Sequence, residues 1–244
     1  MFRSMIWIAI LAVGLLGGVI GGIVGFGGST ILMPLLVFAF GPKDAVPIMG
    51  IAGVLGNLAR VVVWWREVDL RAAAAYAMAG MPAVYLGARL FLALNPRVVE
   101  AVLGVFMILM VPLRRWFMAR RLSIGLGGLA VAGGGIGFLT GLVASTGPIS
   151  TPMFLAYGLV KGGFIATEAL GSLAIYATKV TVFGVAGALT PQIGIYGVLI
   201  GTTMMAGAWF AKRFVTQLDV AQYQLILDAA MLAAGIAMIT AALW

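Results

Sequence analysis

Residues 17–34 read GGVIGGIVGFGGSTILMP, and residues 133–152 repeat the same design as GGGIGFLTGLVASTGPISTP. In both places a glycine-rich run ends a long apolar segment, and a shorter apolar piece follows, at 29–41 and at 147–160. A helix of about a dozen residues rises only ~18 Å, which is too short for the ~30 Å hydrocarbon core of a bilayer. The two stretches therefore predict a broken or re-entrant half-helix in each half of a membrane protein.

The composition agrees with a membrane protein. The 244 residues are 63% hydrophobic and 9% charged, with a mean hydropathy of +1.16, whereas soluble domains are about half apolar and a quarter charged. Apolar runs of roughly 18 to 25 residues recur, without the ten-residue alternation of a β-barrel. The sequence therefore predicts an all-α polytopic membrane protein. We expect full spans at 5–27, 44–65, 69–93, 97–113, 122–144, 164–189, 191–213 and 219–243.

The residue types that are absent exclude several chemistries. The chain has no cysteine and no histidine, which removes disulfides, thiol nucleophiles and Cys/His metal sites. The segment GFGGST at 25–30 resembles part of a phosphate-binding loop, but no lysine follows it, so a nucleotide site is not expected. The net charge of +8 reflects arginines beside apolar segments, which is typical of membrane topology rather than nucleic-acid binding. We therefore expect no metal, no cofactor and no nucleic-acid partner.

The chain divides into two halves that resemble each other. A shift of 118 residues superposes Pro34 on Pro152, Lys43 on Lys161, Gly53 on Gly171, Leu55 on Leu173, Ala59 on Ala177 and Val62 on Val180. The order of elements also repeats, as a long helix, a glycine-rich break, a half-helix and three more helices. We expect a first membrane repeat at 1–113, a basic linker at 114–121 and a second membrane repeat at 122–244.

The charge of the loops predicts how the two halves are oriented. The linker 114–121 holds four arginines, and an excess of positive charge marks the cytoplasmic side of a membrane protein. Loop 66–71 holds Arg66 and Arg71, whereas its counterpart at 187–192 has no lysine or arginine and the next junction holds Lys212 and Arg213. Because the basic loop moves by one position between the halves, the pattern favours inverted repeats. We expect the linker in the cytoplasm and both termini outside.

Three stretches carry a family resemblance: GGIVGFGGSTILMPLL at 21–36, MPAVYLGARLFLALNP at 81–96 and LVASTGPISTPMFLAYG at 142–158. They resemble the TauE/SafE family of sulfite and organosulfonate exporters, and the likeness covers essentially the whole chain. The resemblance implies a multi-pass protein of the plasma (inner) membrane that moves small sulfur-containing anions. Relatives that handle thiosulfate carry cysteines along the path, and this chain has none, so sulfite or an organosulfonate is the favoured substrate.

The starts of the two half-helices are the first candidate binding elements. A helix N-terminus presents free backbone N–H groups and about half a unit of positive charge, which suits an oxyanion. Two such ends facing each other across a repeat interface are typical of transporters. Simple helix capping is the alternative role for Ser29 and Ser150, and it is compatible with binding. The candidate substrate-binding residues here are Gly27, Gly28, Ser29, Thr30, Ser145, Thr146, Gly147 and Ser150.

Charged residues inside the spans are the second group of candidates, because a cation at the centre of a membrane helix costs about 2.5–3.5 kcal/mol on insertion scales. Lys179 and Arg60 lie at nearly equivalent positions of the two halves and are candidate anion ligands; Arg60 can alternatively snorkel to the surface. Asn57 and Tyr176 share their helices and can donate hydrogen bonds. Glu168 and Asp228 are candidate ion-pair partners or proton-coupling carboxylates.

A secondary transporter of a small anion explains the breaks, the repeats and the buried cations together. Two alternatives stay open. A passive anion channel would use the same features without concentrating its substrate. A membrane-embedded enzyme would need a lysine base for Ser145 or Ser150, and the lack of histidine and cysteine disfavours it. We expect no enzymatic activity, with a sulfur-containing anion, the lipid bilayer and protons as the candidate partners.

Overall fold

A computed structural model describes residues 2–26, 28–120, 122–143, 146–214 and 220–243. Within these ranges the chain is helical and contains no strand. The helices are α1 (Phe2–Val24), α2 (Gly28–Phe40), α3 (Pro42–Val63), α4 (Leu70–Ala93), α5 (Pro96–Ala119), α6 (Leu126–Leu142), α7 (Gly147–Ala156), α8 (Lys161–Val185), α9 (Pro191–Phe214) and α10 (Val220–Leu243). A single 3₁₀ turn, Trp65–Glu67, follows α3 in the described chain.

The helix bounds follow capping signals in the sequence. Asp69 caps α4 by accepting hydrogen bonds from the backbone N–H groups of Arg71 and Ala72. Asn95 caps α5 by accepting from the N–H of Val98, and Pro96 occupies the first helical position, where its missing N–H is harmless. Gly41, at φ 77°, turns the chain sharply between α2 and α3. Each helix therefore begins close to the predicted position.

Five of the described helices are long and apolar enough to cross a membrane: α1, α3, α4, α5 and α9. Helices α2 and α6 belong to the shorter apolar class, and α7 has only 10 residues. The all-helical membrane class is thus confirmed, whereas the predicted total of spans is not reached by length and composition alone. Helices α2 and α7 begin at Gly28 and Gly147, shortly after the two glycine-rich runs.

Helix α5 continues beyond the span predicted at 97–113. Residues 114–119 of the predicted linker continue α5, which ends at Ala119. Arg114 is buried in that last part of the helix. The predicted span therefore ends six residues before the helix does, because two arginines after an apolar run are typical of the end of a span.

Glycines set the closest helix contacts in both halves. On α1, Gly14, Gly18 and Gly22 face Thr203, Met204 and Ala208 of α9; on α6, Gly133, Gly137 and Gly141 face Tyr76, Gly80 and Gly87 of α4. A Cβ built on Gly137 would lie 2.5 Å from the carbonyl oxygen of Gly80, so the two backbones touch directly. This is the small-residue spacing that lets membrane helices approach closely.

The two halves contribute equivalent helices to equivalent contacts. Helix α1 packs on α9 as α6 packs on α4, and α3 packs on α9 as α8 packs on α4. Helices α3 and α8, which occupy equivalent places in the two halves, pack against each other, as do α5 and α10. Crossed pairing of this kind brings each break beside the partner half.

Candidate functional site

The two breaks lie against each other. After α1 the chain passes through Gly25, at φ 84°, and the buried Phe26 before α2 begins at Gly28. After α6 it passes through Val143 and Thr146 before α7 begins at Gly147. A Cβ built on Gly147 would lie 2.6 Å from the Cβ of Phe26, so the first break packs on the start of α7. Glycine is required at 147 because any side chain there would push the breaks apart.

A cavity of about 60 Å³ opens between the breaks. This is room for about two water molecules at ~30 Å³ each, or for one small oxyanion. Both half-helix starts reach it, through Gly28 and Ser29 of α2 and through Thr146 and Gly147 at α7. Much of its wall is glycine backbone, and the glycines concerned are Gly17, Gly18, Gly21, Gly25, Gly53 and Gly56. The wall therefore offers peptide groups beside apolar side chains such as those of Phe26, Met49 and Met204.

Arg60 on α3 is the cation of the cavity. Its guanidinium donates to the carbonyl oxygen of Gly25, to Oδ1 of Asn57 one turn earlier, and to Oε2 of Glu168 at 3.0 Å. Its side chain is 13% exposed, so it does not snorkel to open solvent. One guanidinium thus ties the first break, its own helix and α8 of the second half together, as a fork of donors in a fixed plane can.

Glu168 on α8 holds the other side of the network. Its Oε1 accepts from the hydroxyl of Ser172 at 2.7 Å and from the hydroxyl of Ser150 at 2.9 Å, while Oε2 faces Arg60. The carboxylate is 2% exposed. A charge buried this deeply is tolerated because it is both paired and hydrogen-bonded. Glu168 links α7 to α8 and to Arg60, and it also lines the cavity.

Positive charge is concentrated at the two helix starts and at Arg60. Each helix start contributes about half a positive unit, and Arg60 adds one unit while an ionised Glu168 removes one. The C-terminal ends of α1 and α6, on the other side of each break, carry partial negative charge and reduce this sum of about +1. In a poorly hydrated site such a field acts with less screening than in water. The arrangement is suited to hold a small anion without an excess of positive charge that would trap it.

The structure brings many of the predicted binding residues to this cavity. Gly28, Ser29, Asn57, Arg60, Thr146, Gly147 and Tyr176 line it, together with Glu168. Thr30 is buried outside the lining, and Ser150 reaches the site only through its hydrogen bond to Glu168. Gly27 and Ser145 lie outside the described residues. The alternative capping role of Ser150 has no support from its contacts, because its hydroxyl donates to Glu168 and to the carbonyl oxygen of Gly147.

Lys179 does not line the cavity. Its ammonium is fully buried on α8 and donates to the carbonyl oxygens of Thr140 at 2.6 Å and Val143 at 2.9 Å. These are carbonyls at the C-terminal end of α6, where a cation is favourable. Lys179 therefore holds the second break by its carbonyls, as Arg60 holds the first break by the carbonyl of Gly25.

Asp228 is an ion-pair residue and lies away from the cavity lining. Its Oδ1 accepts from Arg114 at 2.6 Å, and its Oδ2 accepts from Arg115 through two nitrogens, at 3.0 and 2.8 Å. This cluster joins the end of α5 to α10. The sequence indicated a buried cation as the partner of Asp228 but did not identify Arg114, because the arginines were assigned to the linker.

Other residues of the site were not singled out in the sequence. Ser172 stands four residues after Glu168 on one helix face, and this spacing was a usable signal for a hydrogen bond. The carbonyl of Gly25 gave no signal, because a backbone acceptor is revealed only by the path of the chain. Phe26 and Met204 complete the apolar part of the wall.

Comparison with known proteins gives one match. The family model described as "Sulfite exporter TauE/SafE" matches residues 10–238, which is most of the chain. Neither the curated proteins nor the solved structures contain a match.

Proposed function

The chain belongs to the sulfite exporter TauE/SafE family, and we propose that it is a secondary transporter that exports a small sulfur-containing anion across the plasma membrane. The family and the apolar helices make it a multi-pass membrane transporter. Sulfite or an organosulfonate is the proposed substrate. The cavity between the two breaks is the proposed binding site.

The observation that carries this proposal is the meeting of both half-helix starts and Arg60 at one small cavity. Sulfite and the sulfonate group each present three oxygens, which peptide N–H groups and a guanidinium bind well. Ser29, Asn57, Thr146 and Tyr176 supply further polar groups in the wall. The volume of about 60 Å³ admits the oxyanion head but little more, so a larger sulfonate would have to extend out of the cavity.

Glu168 is the proposed coupling residue. Arg60 is held by Glu168 at 3.0 Å, so protonation of this carboxylate would weaken the ion pair and raise the charge of the cavity by one unit. The anion and the proton would then favour each other's binding and cross in the same direction, so the direction of the proton gradient would set the direction of net anion flux. Asp228 is a less suitable coupling residue because two arginines hold it outside the cavity.

Inverted repeats complete the proposal. The exchange of equivalent helix contacts between the halves supports a two-fold relationship, and the displaced basic loops favour an axis in the membrane plane. In such an arrangement α2 and α7 enter from opposite sides as re-entrant half-helices and meet at mid-membrane. Movement of one half against the other would then expose the cavity to each side in turn.

Uptake into liposomes tests the function. The purified protein is reconstituted and offered labelled sulfite, sulfoacetate, taurine and thiosulfate, with and without a pH gradient. We expect sulfite or sulfoacetate to be accumulated above its equilibrium level when the gradient is imposed. Flux that only equilibrates the anion under every gradient would indicate a channel, and the absence of flux for all four anions would refute the proposal.

A further inference from the structure

The cluster at the end of α5 carries more positive charge than its partner neutralises. Arg114 and Arg115 share the single carboxylate of Asp228. Arg115 is 61% exposed at its side chain, whereas Arg114 is only 5% exposed. The excess of one positive charge therefore begins at the surface and continues into the protein.

The inner arginine is incompletely satisfied. Within the described part of the chain, Nε of Arg114 is buried and has no hydrogen-bond partner. The hydroxyl oxygen of Thr151 on α7, the helix that packs on α5, is buried without a partner as well. A buried donor on a charged group is seldom left unpaired in a structural ion pair, because its lost hydration is not replaced. The unpaired N–H of Arg114 is therefore able to donate to a further acceptor.

Phe26 connects this cluster to the cavity. Its ring lines the cavity, and the guanidinium carbon of Arg114 lies 5.8 Å from the centre of the same ring. Arg114 itself is not part of the cavity lining. Phe26 belongs to the short segment between α1 and α2, which is not helical and is held by the contact of Gly25 with Arg60. A change in that contact would move Phe26.

We propose that Arg114 forms a second anion-binding station on the transport path, and that Phe26 separates it from the central cavity. The anion would pass from Arg114 past Phe26 to Arg60. The ligand is the oxyanion of the proposed function, on which this inference rests. Asp228 limits the positive charge of the station, so the anion is released rather than retained.

Sulfite flux through variants in liposomes tests the station. Arg114→Gln removes the inner charge but leaves Arg115 and Asp228 as a balanced pair, so the α5–α10 link is kept. We expect at least a fivefold fall in flux. Arg115→Gln is the matched control, because it removes the same charge from the same carboxylate; it should lower flux less than twofold. Equal effects of the two variants would indicate a structural ion pair and would overturn the inference.

Variants of Phe26 provide an independent test. Phe26→Ala should raise the downhill flux of sulfite, because the side chain that separates the two sites is removed. The double variant Phe26→Ala with Arg114→Gln should lose that increase, because no anion binds at position 114 and none can move on to Arg60. Additive effects would contradict the coupling. If Arg114→Gln is not recovered from the membrane, Arg114→Lys replaces it; its KM should rise at least threefold, and an unchanged KM would refute the station.

Sulfite flux through the wild-type protein distinguishes a failure of the Arg114 station from a failure of the proposed function. Sulfite flux that is present in the wild type and unchanged in Arg114→Gln refutes the station alone and leaves the proposed function standing. Absence of wild-type flux for every anion refutes both, because a transit station requires a transported anion.

Discussion

Two cations inside the helical bundle, the partly buried Arg60 and the buried Lys179, stand at nearly equivalent places and have different partners. Arg60 faces the cavity and a carboxylate, whereas Lys179 contacts two carbonyl oxygens at the end of α6. Both hold a break in position. Only Arg60 is placed to touch a substrate, so the two residues should differ in how their loss affects transport.

Lys179→Gln should therefore act on the conformation and not on binding. The shorter amide cannot reach both carbonyls, and we expect the protein to lose about 1–3 kcal/mol of stability. The maximal transport rate should fall roughly tenfold, equivalent to ~1.4 kcal/mol, while KM stays within about twofold. Thermal unfolding in detergent and liposome kinetics measure the two effects. A large rise in KM at an unchanged maximal rate would instead place Lys179 in the binding site.

At the residue scale, the sequence identified the charged residues inside the helices, but it did not identify their contact partners. A charge inside an apolar span is visible in the sequence because its cost is high. The partner of Arg60 depends on which faces of α3 and α8 meet, and the partner of Asp228 depends on the true end of α5. Neither partner can be inferred from the local spacing of residues.

Among the elements, the glycine faces of α1 and α6 decide how tightly the long helices pack. Gly133 touches the backbone of Tyr76 on α4, whereas the neighbouring Gly134 is half-buried and has nothing within 4 Å of a built Cβ. The two positions share one helix and nearly the same depth. They form a natural pair for comparison.

Gly133→Ala should destabilise the protein by about 1–3 kcal/mol, because the methyl group must displace the Tyr76 backbone. Gly134→Ala should be neutral or stabilising by up to ~1 kcal/mol, because alanine is the better helix former. Thermal unfolding of the purified variants in one detergent checks both values. Equal stability of the two variants would show that the α4–α6 contact is looser than the structure indicates.

The helices themselves were largely predictable, since their starts carry Asp69, Asn95–Pro96 and the two glycine runs. The end of α5 was not, because Arg114 and Arg115 read as a loop until Asp228 is known to face them. Pairing with a distant carboxylate overrides the local signal. The same pairing explains why Arg114, which the sequence placed in the linker, lies in a buried cluster.

For the whole molecule, the proposed inverted arrangement makes a topological prediction. We expect a fluorescent protein fused after Arg120 to fluoresce, because the proposed topology puts the end of α5 in the cytoplasm, where such a reporter folds. Alkaline phosphatase fused to either terminus should be active, because the same topology puts both termini outside. Fluorescent fusions at both termini would contradict this topology, and parallel repeats would then explain the exchanged contacts.

The resemblance to sulfite exporters could be drawn from the sequence, and the family match confirms it. The arrangement of the cavity could be anticipated only in outline. The glycine runs marked the breaks, but their mutual contact depends on packing between halves that are far apart in the chain.

The central claim is that Arg60 binds the transported anion at the meeting of the two breaks. The most direct measurement compares sulfite flux in liposomes for the wild type, Arg60→Gln, and Arg60→Gln with Glu168→Gln, with Arg89→Gln as a control at an exposed arginine. The double variant removes both members of the buried pair, so it avoids an unpaired carboxylate. We predict that both Arg60 variants lose at least ~90% of flux, a change of about 1.4 kcal/mol or more, while Arg89→Gln transports normally. Wild-type flux in the folded double variant would contradict the account.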